Sequence, residues 1–138
     1  MQHKIRLAAI DAPELRQAFG TRSRQSLAGM VHGQTVLIEW DKYDRYGRIV
    51  GKVFSVAPCN AAPCPLAQEA NLAQVRAGTA WHYKQYAHEQ SREDRVGYAA
   101  AEIQARAAKC GLWADPAPVP PWEWRTAKRE RGTSRAPR

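Results

Sequence analysis

Residues Lys4 to Ile10 make a strand-like run that Asp11-Ala-Pro-Glu14 brings to a stop. Proline cannot donate to a ladder and it biases Ala12 before it toward extended conformations, so the chain must leave its sheet here. The run delivers Arg6, the stop delivers two carboxylates, and a second arginine waits in Asp44-Arg-Tyr-Gly-Arg48. Two carboxylates and two arginines suit a metal-assisted attack on a phosphodiester. One carboxylate can hold a cation, the other can take a proton from water, and guanidinium groups can neutralise phosphoryl charge. Each residue also has a plainer reading. Asp-x-Pro sequences make turns, and either arginine alone would pass for a solvated strand charge.

The rest of the chain alternates short strands with helices. A helix is predicted from Thr21, with Leu27, Met30 and Val31 on one face and Gly33 as its stop. Thr35 to Trp40 is a second strand, Asp41 to Gly47 a polar turn, and Arg48 to Val56 a third strand antiparallel to the second. Ala57 to Leu66, with three prolines and two cysteines, reads as an irregular insertion. Asn71 is the expected N-cap of a short helix over Leu72 to Ala77, with Gln74 completing a capping box. Trp81, Tyr83 and Tyr86 follow in an aromatic connection, where His82 and His88 read as surface residues. Ser91 caps a longer helix with Glu93 and Asp94 in its first turn, and Val96, Ala100, Ile103 and Ala107 are its predicted buried stripe. Gly111 ends it. Trp113, Trp122 and Trp124 are assigned to packing. The class is α+β with three helices and about three strands, too few to close a barrel.

Charge points to the partner. The chain has 138 residues, enough for one domain, and a formal net charge of +8, which favours a polyanion such as nucleic acid. Glu123 to Arg138 holds six basic and two acidic side chains. The expected division is therefore a folded domain over 1–115, a Pro/Trp-rich extended arm over 116–125 and a basic disordered tail over 126–138, the last adding salt-sensitive phosphate attraction. No run approaches the roughly 18 apolar residues of a membrane helix, and no apolar core of a signal peptide is visible. Three cysteines allow one internal disulfide or none.

These motifs, in this order, resemble the staphylococcal (thermo)nuclease family: Arg6 with Asp11-Ala-Pro-Glu14, then Asp44-Arg-Tyr-Gly-Arg48, Asn71-Leu-Ala-Gln-Val-Arg-Ala-Gly78, Ala80-Trp-His-Tyr83, Gly111-Leu-Trp113 and Pro120-Pro-Trp-Glu-Trp-Arg125. The resemblance spans about residues 4 to 125. It implies an OB-type five-stranded barrel with three helices, and Ca²⁺-dependent hydrolysis of DNA and RNA. Carried across residue by residue, it implies Asp11 as a calcium ligand and Ala12 as a ligand through its backbone carbonyl. Glu14 matches the general base, and Arg6 and Arg48 the arginines on the scissile phosphate. Arg45 and Tyr46 match a basic–aromatic pair near the nucleotide, and Tyr83 a nucleotide-contacting tyrosine. Members are often secreted or periplasmic.

One departure is large. The family pattern begins with two further strands and an Asp-Gly-Asp-Thr-like turn that supplies another calcium aspartate, and this sequence holds no such motif. Hard cations want several oxygen ligands, so weaker calcium binding is expected. An incomplete barrel with open strand edges is expected too, prone to self-association. The rival readings are a catalytically inactive OB-type nucleic-acid-binding module and a truncated remnant.

Overall fold

A computed structural model describes residues 1–134, and the last four positions of the predicted tail lie outside the described residues. The expected first strand is two. β1 (Ile5–Leu7) and β2 (Ile10–Asp11) are separated by a turn at Ala8 and Ala9, the latter with a left-handed φ of 62°. Helix α1 (Gly20–Val31) precedes the hairpin of β3 (Val36–Tyr43) and β4 (Ile49–Val56). Then come β5 (Leu66–Glu69), α2 (Ala70–Arg76), β6 (Trp81–His82), α3 (Arg92–Ala107) and α4 (Pro121–Ser134).

β4 is the central strand. β3 pairs with it antiparallel along its length, with a bulge between Trp40 and Lys42. On its other side β1 pairs in parallel with its start, Arg6 opposite Val50, and β5 pairs antiparallel with its end. β2 and β6 form a separate antiparallel ribbon, Asp11 opposite Trp81. The sheet does not close into a barrel among the described residues. β3 carries exposed Leu37, Trp40 and Tyr43. β5 has helix-forming residues and becomes a strand only through its bonds to β4, an instance of tertiary pairing overriding local preference.

Three expectations are corrected. Asn71 and Gln74 do not cap α2; its N-cap is Glu69, without a side-chain cap bond. Both are buried cross-links instead. Asn71 accepts from the Val53 amide at 3.0 Å and donates to the carbonyls of Ala8 and Gly51, each at 3.1 Å. Gln74 donates to the Ser23 carbonyl at 3.1 Å and accepts from the Ser26 hydroxyl at 2.7 Å, fastening α1 to α2. The buried side of α3 is Tyr98, Ala101, Glu102 and Ala105, while Val96 and Ile103 are exposed. Small alanines let α3 come close to α2, and Tyr98 reaches Glu69 with its hydroxyl, so contact geometry outranks residue hydrophobicity there. Finally, Trp122 to Arg125 and most of the predicted tail are helical. Pro121 stands at the first position of α4, where proline's fixed φ helps and its missing N–H costs nothing.

The core has two adjoining parts: Ile10, Val75, Ala80, Tyr98 and Ala101, and then Trp81, Ala105, Leu112 and Trp113. Gly78 and Gly111 lock the ends of α2 and α3 together. Both have positive φ, and a Cβ on Gly78 would lie 2.1 Å from the Cys110 carbonyl oxygen, one on Gly111 2.3 Å from that of Gly78. The Leu112 amide donates to Gly78 across this crossing. A disulfide joins Cys59 to Cys64 in the insertion, and Cys110 is a free thiol. No helix of the described residues is long and apolar enough to cross a membrane.

Asn71→Ala would take this partner from the Val53 amide and the Ala8 carbonyl, while the Gly51 carbonyl would keep only the Ala8 amide. We expect a loss of about 3 kcal/mol, read as a lower urea midpoint with an unchanged slope.

Candidate active site

The parallel pairing of β1 with β4 sets the first half of the site. It lays Lys4 to Arg6 beside Arg48 to Val50, so the two arginines share one end of the sheet. Between them stands Asp44. Its Oδ1 accepts from the amides of Tyr46 (2.9 Å) and Arg48 (3.0 Å), closing the hairpin turn. Its Oδ2 accepts from Arg48 Nε at 2.7 Å and lies 3.4 Å from Arg6 Nε. Burial pushes the Asp44 carboxyl up, but the Arg48 amide, the Arg48 guanidinium and the Tyr46 amide together hold it below the ordinary carboxylate range.

Glu89 closes the far side. It is buried, pairs with Lys42 and lies 3.5 Å from Arg6 Nη2. Arg6 also lies over the Tyr86 ring at 4.8 Å. Arg45 and Arg48 both face Tyr46, at 5.0 and 5.5 Å from its ring centre, so the turn presents an exposed basic–aromatic cluster. Gripped through Nε, Arg48 has the rest of its guanidinium in a side chain 40% exposed.

The second half comes from the β2–β6 ribbon and the stop after it. Tyr83 follows β6, and its amide donates to the Ala9 carbonyl at 2.9 Å, which brings it beside Asp11. The Asp11–Glu14 loop is pressed against the start of α1. A Cβ on Gly20 would lie 2.0 Å from the Glu14 carbonyl oxygen, so only glycine admits this approach. Burial raises the Asp11 carboxyl, opposed by the hydrogen bond and charge of Arg125 and, further off, by the charge of Arg6. Burial also raises the Tyr83 phenol; Tyr86 and Asp11 add to this, and Arg125 and Arg6 oppose it. The two halves touch through aromatic rings: Tyr83 lies edge-on to Tyr86 at 4.7 Å, and Arg6 covers the Tyr86 ring.

The sequence-selected residues fall into separate groups: Arg6 and Arg48 meet at Asp44, with Arg45 and Tyr46 on the turn; Asp11 and Glu14 meet at Arg125; Ala12 packs against the core around Ile10 and Tyr98, and Tyr83 stacks on Trp122. Four participants escaped the sequence reading. Asp44 lies within a quoted motif but shows its role only as an Asx turn. Glu89 carries no local signal. Arg125 reads in the sequence only as one of the basic residues at the end of the arm, and Trp122 packs as expected but does so against a site tyrosine. Trp122 lies flat against Tyr83, 4.9 Å between ring centres, and edge-on to Trp81 at 5.4 Å. His82, expected at the surface, is buried; its backbone amide donates to Glu102 at 2.6 Å.

A family model described as staphylococcal nuclease homologue matches residues 4–115. The chain belongs to that family. Protein ParB of Escherichia coli is 41% identical over 128 residues, covering 93% of this chain and 70% of its own length. An uncharacterized endonuclease of the same species is 41% identical over 125 residues, 91% of this chain and 72% of its own. The micrococcal nuclease of Shigella flexneri is 39% identical over 126 residues, 91% of this chain and 70% of its own. The α+β nuclease-type domain is thus an enzyme fold whose family acts on nucleic acids.

The donors of this nuclease domain suit a hard cation in kind. Asp11 and Glu14 converge on one positive group, the Arg125 guanidinium. Among the described residues no cluster of three or more His, Cys, Asp or Glu forms, so the other ligands would be backbone carbonyl or water.

Asp44 yields a pH prediction. Its folded-state value is depressed, so its contribution to stability is full above the ordinary carboxylate value of 3.8 and is lost as pH falls through the lower folded value. Acid titration of the folded chain should show this loss below about pH 4, and Asp44→Asn should remove that component of the curve.

Proposed function

We propose that this domain is a calcium-dependent phosphodiesterase that hydrolyses DNA and RNA. What supports the reading is an arginine pair gathered on Asp44 and an acid pair gathered on Arg125, with Tyr86 touching both Arg6 and Tyr83 between them. A phosphodiester needs both: positive donors for its oxygens and a base for the attacking water.

In this reading Arg6 and Arg48 bind the scissile phosphate and neutralise the charge that grows on it as the nucleophile enters. Asp44 gathers the two guanidinium groups and Glu89 holds Arg6 from its other side before substrate arrives, so little ordering is left for the reaction itself. Glu14 takes the proton of the attacking water. Asp11 and the Ala12 carbonyl would hold Ca²⁺, which supplies Lewis-acid polarisation of a phosphoryl oxygen when bound. Tyr46 with Arg45, and Tyr83 on the other flank, would contact the adjoining nucleotides. The net charge of +8 draws the polyanion in, and added salt weakens that attraction.

A second reading, a binding module without chemistry, is favoured by the guanidinium that sits on both acids. Supercoiled plasmid separates the two. Nicking that requires Ca²⁺ and stops with EDTA supports the enzyme; a gel shift without nicking supports the binder. Arg48→Ala should lower kcat by about 10²-fold or more, as for loss of an oxyanion donor. Wild-type cleavage rates in that variant would remove Arg48 from the mechanism.

A further inference from the structure

Helix α4 carries a positive charge into the place where Asp11 and Glu14 converge. Arg125 donates through Nη2 to Asp11 Oδ2 at 2.6 Å, and through Nη1 to Asp11 Oδ1 at 3.2 Å and Glu14 Oε1 at 2.9 Å. One planar fork thus engages three carboxylate oxygens, the bidentate geometry in which arginine binds carboxylates most firmly. A divalent ion held by Asp11 would need the same oxygens. Two cations a few ångströms apart also repel, so both cannot occupy the seat together.

The helix is anchored where it begins and free to yield where the arginine ends. Pro121 is fully buried, Trp122 is wedged between Tyr83 and Trp81, and the Gln17 amide donates to the Val119 carbonyl just ahead of the helix. The Arg125 side chain, by contrast, is 38% exposed on a flexible stem. The guanidinium, rather than the helix, is the part that can leave.

We propose that Arg125 is an internal competitor for the divalent cation. It occupies the acid pair in the resting chain and relieves the repulsion between the two carboxylates. It must swing out before Asp11 takes an ion and before Glu14 is free to accept a proton. With a side chain only 15% exposed, Asp11 is better kept charged with a counter-charge against it when no ion is bound. The inference deepens the phosphodiesterase reading, on which it rests for the choice of ion.

The test is Ca²⁺ titration calorimetry on the full chain, beside thermal melts in EDTA and in Ca²⁺. Arg125→Gln should bind Ca²⁺ about tenfold more tightly than wild type. It should melt lower in EDTA and gain more from added Ca²⁺. Arg125→Lys keeps the charge but not the fork and should fall between the two, which guards against a Gln variant that fails to fold. Asp11→Asn should abolish the binding in either background. Equal or weaker Ca²⁺ affinity in Arg125→Gln, binding that survives Asp11→Asn, or no binding in any variant overturns the proposal. Plasmid nicking tells the two readings apart. Ca²⁺-dependent nicking by wild type with no gain in affinity in Arg125→Gln sinks the competitor alone, whereas a gain in affinity with no nicking by any variant sinks the phosphodiesterase alone.

Discussion

The side-chain amide of Asn71 holds this molecule in register. It is fully buried, and its three hydrogen bonds run to the end of β1 and to two points on β4. Parallel strands have no short turn to fix their alignment; something outside the ladder must do it. Here one amide from α2 sets how far Arg6 has advanced beside Arg48. A slip of one residue would send Arg6 to the other face of the sheet, and Asp44 would lose one of its two guanidinium partners.

Charge pairing governs the rest of the site. Apart from Arg45, which lies over Tyr46, the positive groups there have an acid within ion-pair distance: Arg48 with Asp44, Arg6 with Asp44 and Glu89, Lys42 with Glu89, and Arg125 with Asp11 and Glu14. Such pairs keep partly buried charges from costing full desolvation, and they fix long side chains in place. They also mean that a phosphate or a cation enters by exchanging partners rather than by filling an empty hole. The resting face is poised and close to neutral, although the chain as a whole is strongly basic.

Much of this was legible in the sequence because some residue types announce their chemistry. The proline at position 13 fixed the end of a strand beside two acids, and the Asp44 to Arg48 turn placed an arginine at a strand start. The two central hairpin strands followed from β-forming composition. What stayed hidden depended on distant partners. β5 and β6 exist only through the strands they meet. The buried face of α3 was misjudged because Val96 and Ile103 are more apolar than Ala101 and Ala105, yet the smaller residues are those that fit against α2. Asn71 and Gln74 matched a helix-start pattern that ignores what lies beyond the helix. Arg125 was counted with a charged tail, since nothing local distinguishes a guanidinium that pairs with residues more than a hundred positions away.

The crossing of Gly78 and Gly111 reaches further than its location suggests. Backbone touches backbone there, so α2 and α3 are clamped with no side chain to cushion the contact. Trp113, just beyond Gly111, abuts Trp81; Trp81 abuts Trp122; and Trp122 lies on Tyr83. A single added methyl at the clamp would force the helix ends apart and tilt this row of rings in turn, so the aromatic wall beside Asp11 owes its position to two residues that have no side chain.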